Sequence, residues 1–158
     1  MARDGFAHLV DARGRCAVST PLLVVEDDPH LRCMMVLLLE GEGLPVAAAV
    51  DGLDALRWLQ DSRPCLVLLD LNLPYLNGDE VGARIRARYG QDVPIILVTA
   101  NQGGAEIAAA LKATYLPKPF DVDTLLTVVW QCLEQACVIG DHQNNREGER
   151  PDGFSIRG

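Results

Sequence analysis

Residues 66–78 read Leu-Val-Leu-Leu-Asp-Leu-Asn-Leu-Pro-Tyr-Leu-Asn-Gly. Four apolar residues without polar alternation suit a strand buried on both faces, and such strands belong to parallel sheets covered by helices on each side. The run ends on Asp70, and Pro74 and Gly78 then steer the chain back toward a helix.

Working outward, the same unit recurs. Strand candidates are 22–26, 44–49, 66–70, 95–99 and 115–117; helix candidates are 29–42, 52–61, 79–89, 105–112 and 122–135. Asp28 before Pro29 supplies an N-cap with proline at the first helical position, and Asp121 can cap the last helix. In that helix Val122, Leu125, Leu126, Val129 and Leu133 recur at the spacing of one buried face. Five β/α units predict an α/β fold, a doubly wound five-stranded parallel sheet with helices on both faces.

The chain of 158 residues is long enough for one ordinary domain with short ends. The expected division is a flexible leader at 1–20, for which a hairpin around 11–14 is the alternative, a folded unit at 21–137, and a disordered polar tail at 138–158. The longest apolar runs, such as 36–39 and 93–98, fall short of the roughly 18 residues that span a bilayer. Residues 1–10 lack the apolar stretch of a secretory signal, so the reading is cytoplasmic with no membrane contact. The net charge of −8 lies entirely within 21–137. Such a field repels phosphate backbones, and no direct nucleic-acid binding is expected. Five cysteines without a C-x-x-C pair read as free, buried thiols. His8, His30 and His142 read as surface groups, and Trp58 and Trp130 as helix packing.

In an open parallel sheet the ligand site lies at the carboxyl ends of the strands. There the first strand ends in Glu26-Asp27-Asp28, the third in Asp70 and the fourth in Thr99, while Lys118 follows the fifth between Pro117 and Pro119. Acids at strand ends are often solvated turn residues. Asp70, however, follows four apolar residues, and Lys118 is one of two lysines in the chain, on a backbone restrained by proline. Clustered carboxylates repel one another, and a hard divalent cation relieves that repulsion; Mg2+ suits two carboxylates plus backbone and water, and it bridges to phosphate. Phosphoryl transfer then asks for positioning and charge neutralisation, which Lys118 and Thr99 can supply.

The segments LLVVEDDPHLR (22–32), VLLDLNLPYLNGDEV (67–81), PIILVTA (94–100) and YLPKPF (115–120) together resemble response-regulator receiver domains of two-component signalling. The resemblance implies a flavodoxin-like sheet of strand order 2-1-3-4-5. It implies Asp70 as phosphoacceptor, Asp27 and Asp70 as direct Mg2+ ligands, Glu26 as holder of a metal water, and Asn72 as donor of a backbone carbonyl. By the same resemblance Lys118 contacts the phosphoryl group and precedes a cis proline. Thr99 matches the switch hydroxyl, Tyr115 the aromatic that reports activation, and Ala100 the small residue that leaves access. Asn72 and Asn101 occupy the positions that modulate hydrolysis of the acyl phosphate.

The partners so implied are a histidine kinase or histidine phosphotransfer protein as donor and a downstream protein as target. The receiver would stand alone, as a monomer or weak dimer, and would not be an enzyme beyond slow self-dephosphorylation. One departure is that Thr99 and Lys118 lie closer than in typical members by about three residues, about one helical turn. This assigns a shortened fourth helix to residues 101–113, on the family's usual output and dimer surface. Two alternatives stand beside this reading. A phosphatase of the haloacid-dehalogenase type also uses a strand-end aspartate, but wants a second Asp where Asn72 stands. A receiver-like scaffold that accepts no phosphate would act by binding alone.

Overall fold

Five short apolar runs form the strands β1 (Leu22–Val25), β2 (Val46–Ala49), β3 (Leu66–Leu69), β4 (Ile95–Thr99) and β5 (Thr114–Pro117). The computed structural model describes residues 18–144. The strands pair in parallel in the order β2-β1-β3-β4-β5. Between and after them run α1 (Pro29–Gly41), α2 (Gly52–Asp61), α3 (Gly78–Tyr89), α4 (Gly104–Leu111) and α5 (Val122–Asn144).

Residues of the three central strands β1, β3 and β4 are buried throughout, because alternate side chains enter separate cores. Leu23, Val25, Val67, Leu69, Ile95 and Leu97 pack with Ala55 and Leu59 of α2, Val81 and Ile85 of α3, and Ala108 of α4. Leu22, Val24, Leu66, Leu68, Ile96 and Val98 pack with Met35 and Leu39 of α1 and with Leu125, Val129 and Leu133 of α5. Trp58 packs against the first core and Trp130 against the second, as expected of both.

Most boundaries fall within two residues of the expected ones. β2 starts at Val46 because Pro45 has no N–H to give the ladder, although its carbonyl accepts from Leu22 at 2.8 Å. The larger difference is α5, which continues to Asn144 instead of ending at Gln135. Neither Gly nor Pro interrupts residues 122–139, and Ala136 to Ile139 carries the helix into what was read as a disordered tail. The leader and the rest of the tail, with Cys16 and His8, lie outside the described residues. Cys132 is buried, but Cys33 is exposed on α1, against its reading as a core thiol. Burial pushes the Cys65 thiol up to about 12. α4 is the shortest of the five helices, and only Lys112 and Ala113 join it to β5.

Candidate functional site

The carboxyl edge of the sheet brings together the groups that the strand-end rule selected. Glu26 follows β1 and is 1% exposed; Asp70 follows β3 and is 4% exposed. Lys118, after β5, puts its ammonium Nζ 2.9 Å from Glu26 Oε2 and 3.0 Å from Asp70 Oδ2. Asp27 is exposed beside them, and single carboxylate oxygens of Glu26, Asp27 and Asp70 lie within 4.8 Å of one another. The peptide bond between Lys118 and Pro119 is cis.

The backbone holds these groups in place. The Asn72 amide donates to Asp70 Oδ1 at 3.1 Å, and the Asp28 amide donates to Glu26 Oε1 at 3.2 Å. Asp28 caps α1 by accepting from His30 and Leu31, bonds that lower its pKa. A Cβ on Gly78 would collide with the Asp70 carbonyl, so α3 can start this close to the strand end only with glycine there.

Three acids and one ammonium leave the site with excess negative charge. Burial raises the Glu26 carboxyl above its ordinary value, with the Asp70 charge adding to the rise, while Lys118 opposes it. For Lys118 burial pulls the pKa down, but the contacts with Glu26 and Asp70 outweigh it and the ammonium is held above the usual lysine range. The oxygen-rich donor set fits a hard divalent cation, whose charge would offset what Lys118 leaves uncompensated.

The remaining expected residues sit around this centre. Thr99 is wholly buried, and its hydroxyl oxygen accepts from the Asn101 amide at 3.1 Å. Asn72 and Asn101 are exposed at the mouth. Ala100 lines an open hollow of about 350 Å3 with Leu31, Met34, Lys118, Pro119 and Phe120. Tyr115 is half-buried one strand away, where its ring and the Thr99 methyl both approach Gly104. A Cβ on Gly104 would lie 2.6 Å from Thr99 Cγ2 and 2.7 Å from Tyr115 Cε2.

Sequence reasoning missed Arg32 and Gly104. The Arg32 guanidinium donates to the Glu26 carbonyl at 2.8 Å and the Asp27 carbonyl at 3.3 Å, which ties the acidic loop to α1. The signal was present, since Arg32 stands one turn into a helix that begins beside those acids. Gly104 had no comparable signal, because its contacts come from β4 and β5.

Comparison with known proteins adds to this geometry. DNA-binding response regulator MtrA of Mycolicibacterium smegmatis is 40% identical over 146 residues, covering 82% of this chain and 63% of the relative. Response regulator MprA of a Mycobacterium species is 40% identical over 108 residues, covering 66% of this chain and 46% of the relative. The chain thus spans about half to two thirds of the length of these curated relatives. Among solved structures, response regulator protein TrrA from Thermotoga maritima in complex with Mg2+-BeF aligns with a TM-score of 0.66 and 31% identity, covering 72% of this chain and 98% of that one.

The MtrA relative overturns the expectation of no direct nucleic acid among the partners. That expectation took the acidic field of one folded unit for the behaviour of a whole regulator. A charge of −8 governs how this unit's surface meets phosphates, and does not decide how a protein matched over only part of its length reaches DNA. The response regulator receiver domain model matches residues 22–130, more than half of the sequence and all five strands, and the chain therefore belongs to the response regulator receiver domain family.

Proposed function

We propose that this chain is the phosphoacceptor of a two-component relay, and that Asp70 receives the phosphoryl group from the phosphohistidine of a histidine kinase or phosphotransfer protein. The observation that carries the reading is the contact of one ammonium, Lys118 Nζ, with two buried carboxylates at the carboxyl edge of the sheet.

In this reading Asp70 attacks phosphorus with a carboxylate oxygen. The new P–O bond makes an acyl phosphate as the P–N bond to the donor's imidazole breaks, and the departing nitrogen keeps the electron pair. The Asn72 amide fixes one oxygen of the nucleophile, so that it does not rotate away from the incoming group. Glu26, Asp27 and Asp70, with the Asn72 carbonyl, would hold Mg2+, which when bound supplies the positive charge that lets an anionic donor approach an anionic acceptor. Lys118 already touches Asp70, so its ammonium can follow the negative charge onto the phosphoryl oxygens. Thr99 can exchange its bond with the Asn101 amide for one to the phosphoryl group, past the small side chain of Ala100, and Tyr115 would respond through the shared contact at Gly104. Asn72 and Asn101 are amides and cannot act as general bases, so their influence on hydrolysis is through the placement of water.

The unit that carries this activity is the folded stretch 21–137, in the cytoplasm where a kinase would donate. For its output, the MtrA relative, a DNA-binding response regulator, supports an effect exerted at DNA. Membership of the receiver domain family supports this reading over the phosphatase alternative. Intact mass after incubation with acetyl phosphate and Mg2+ tests the reading: the wild type gains one phosphoryl group and Asp70→Asn gains none. Equal labelling of Asp70→Asn would remove Asp70 from its role, and an unlabelled wild type would leave the scaffold reading.

A further inference from the structure

Arg32 collects three successive carbonyls of the acidic loop. Its main-chain amide donates to the Asp28 carbonyl at 2.9 Å, the opening main-chain bond of α1. Nη1 of its guanidinium folds back over that turn and donates to the Asp27 carbonyl at 3.3 Å and to the Glu26 carbonyl at 2.8 Å. β1 has ended at Val25, so these two carbonyls lie past the strand and take their donor from a side chain. Each peptide group is planar, and a bond to its carbonyl sets the orientation of the whole plane. The planes on either side of Asp27 are thus both fixed by one guanidinium, and with them the direction in which Asp27 sends its side chain.

Asp27 depends on this more than its neighbours do. The Glu26 carboxylate accepts from the Asp28 amide and from Lys118, and the Asp70 carboxylate accepts from the Asn72 amide and from Lys118. Among the described residues the Asp27 carboxylate accepts no hydrogen bond and joins no ion pair. Even so, one of its oxygens stands within 4.8 Å of oxygens of the other two. Like charges gathered this closely repel one another, and the exposed Asp27 has the room to turn away. The guanidinium bonds carbonyls and pairs with no carboxylate among the described residues, so it orients the loop without occupying the oxygens that a cation would use.

We propose that Arg32 is a positioning residue of the cation site: by holding the Glu26 and Asp27 carbonyls it keeps the Asp27 carboxylate turned toward those of Glu26 and Asp70, and so strengthens binding of a divalent cation at the sheet edge. The inference rests on the cation-assisted phosphoacceptor reading above, and the test separates the two. Charge and geometry give opposite signs for the loss of Arg32. A cationic side chain beside the site repels a second cation, so if charge alone mattered its removal would tighten binding. If the bonds to the carbonyls matter, its removal loosens binding by about tenfold or more, as for other groups that orient metal ligands.

Mg2+ is titrated by calorimetry into the wild type, Arg32→Met, Arg32→Gln and Arg32→Lys, each first shown to be folded by urea unfolding in EDTA. Methionine and glutamine are uncharged and too short to reach either carbonyl, whereas the lysine ammonium keeps the charge and sits one bond short of Nη1. The Kd for Mg2+ is expected to rise about tenfold or more in both neutral variants, with Arg32→Lys between them and the wild type. With acetyl phosphate as donor, the Mg2+ concentration for half-maximal labelling rises in the same order. The rate at saturating Mg2+ stays within about twofold, because Asp70 and Lys118 are untouched. A role in stability alone would lower the urea midpoint and leave the Kd where it was. A neutral variant that is folded and binds Mg2+ as tightly as the wild type, or more tightly, overturns the positioning role. A wild type that binds no Mg2+ removes the cation site and this inference with it, whereas a wild type that binds Mg2+ but is not labelled overturns the phosphoacceptor reading.

Discussion

Glu26 shows how much of the site's energetics rests on a single side chain. Its carboxyl is raised by burial and by the neighbouring charge of Asp70, against the pull of Lys118. The folded state therefore keeps this proton to higher pH than the unfolded chain does. The stability it confers is complete below the ordinary glutamate value of 4.5 and falls as pH rises through the raised one. Glu26→Gln keeps an oxygen for Lys118 but cannot ionise. In urea titrations with EDTA the variant is expected to gain on the wild type as pH climbs from the ordinary glutamate range, and parallel pH curves would remove Glu26 as a source of strain. Asp28 and Asp121 act with the opposite sign. Backbone amides at their helix caps lower both pKa values, so their stabilisation is present above the ordinary aspartate range and lost as pH falls through the lowered value. These contributions are common to both proteins and cancel in the difference.

At the scale of elements, the strands and the site acids were legible because their signals are local. Unbroken apolar runs such as 66–69 marked the buried strands, and strand-end position alone selected Glu26, Asp27, Asp70 and Lys118. The shortness of α4 was legible once the spacing between Thr99 and Lys118 was set against that of the family it resembles, but what holds so short a helix was not. The Arg86 guanidinium on α3 donates to the carbonyls of Leu111 at 2.6 Å and Lys112 at 3.2 Å, and also to Gly90 and Val93. Its partners are main-chain atoms up to 26 residues away, which leave no trace in the sequence. The arginine closes the carboxyl end of α4, where Lys112 turns the chain with φ +52°. Arg86→Met keeps the aliphatic stem and leaves the part-buried carbonyls of Leu111 and Val93 without this donor. A loss of about 2 kcal/mol in urea unfolding is expected, with hydrogen exchange rising at 108–114 before the rest of the fold. Asp51→Ala is expected to cost about 1 kcal/mol by removing the bond from the Asp54 amide to Asp51 Oδ1 at the start of α2. If Arg86→Met cost no more than Asp51→Ala, the arginine would be an ordinary surface contact.

For the whole molecule, the division of labour follows from the sheet. Two apolar cores lie on its faces, and the buried acids gather at one edge where the strands end. The free protein is then held together by packing remote from the site while like charges at the edge work against it. A ligand that neutralises the edge should stabilise every element that contributes a residue to it, namely the ends of β1, β3 and β5 and the starts of α1 and α3. Binding to the folded state alone adds about 2.7 kcal/mol when the ligand stands at a hundred times its Kd. For a domain of this size that corresponds to a rise in Tm of about 10 °C. The expected order is a small rise with Mg2+ alone and a larger one with Mg2+ and beryllofluoride together, because the mimic brings negative groups for Lys118 and Thr99 to meet. Asp70→Asn is expected to lose the beryllofluoride increment, since an amide offers no anionic oxygen for the mimic to join. A wild-type Tm indifferent to both additions would show that the acidic edge holds no cation, and phosphorylation at Asp70 would then lack the charge neutralisation on which its chemistry depends.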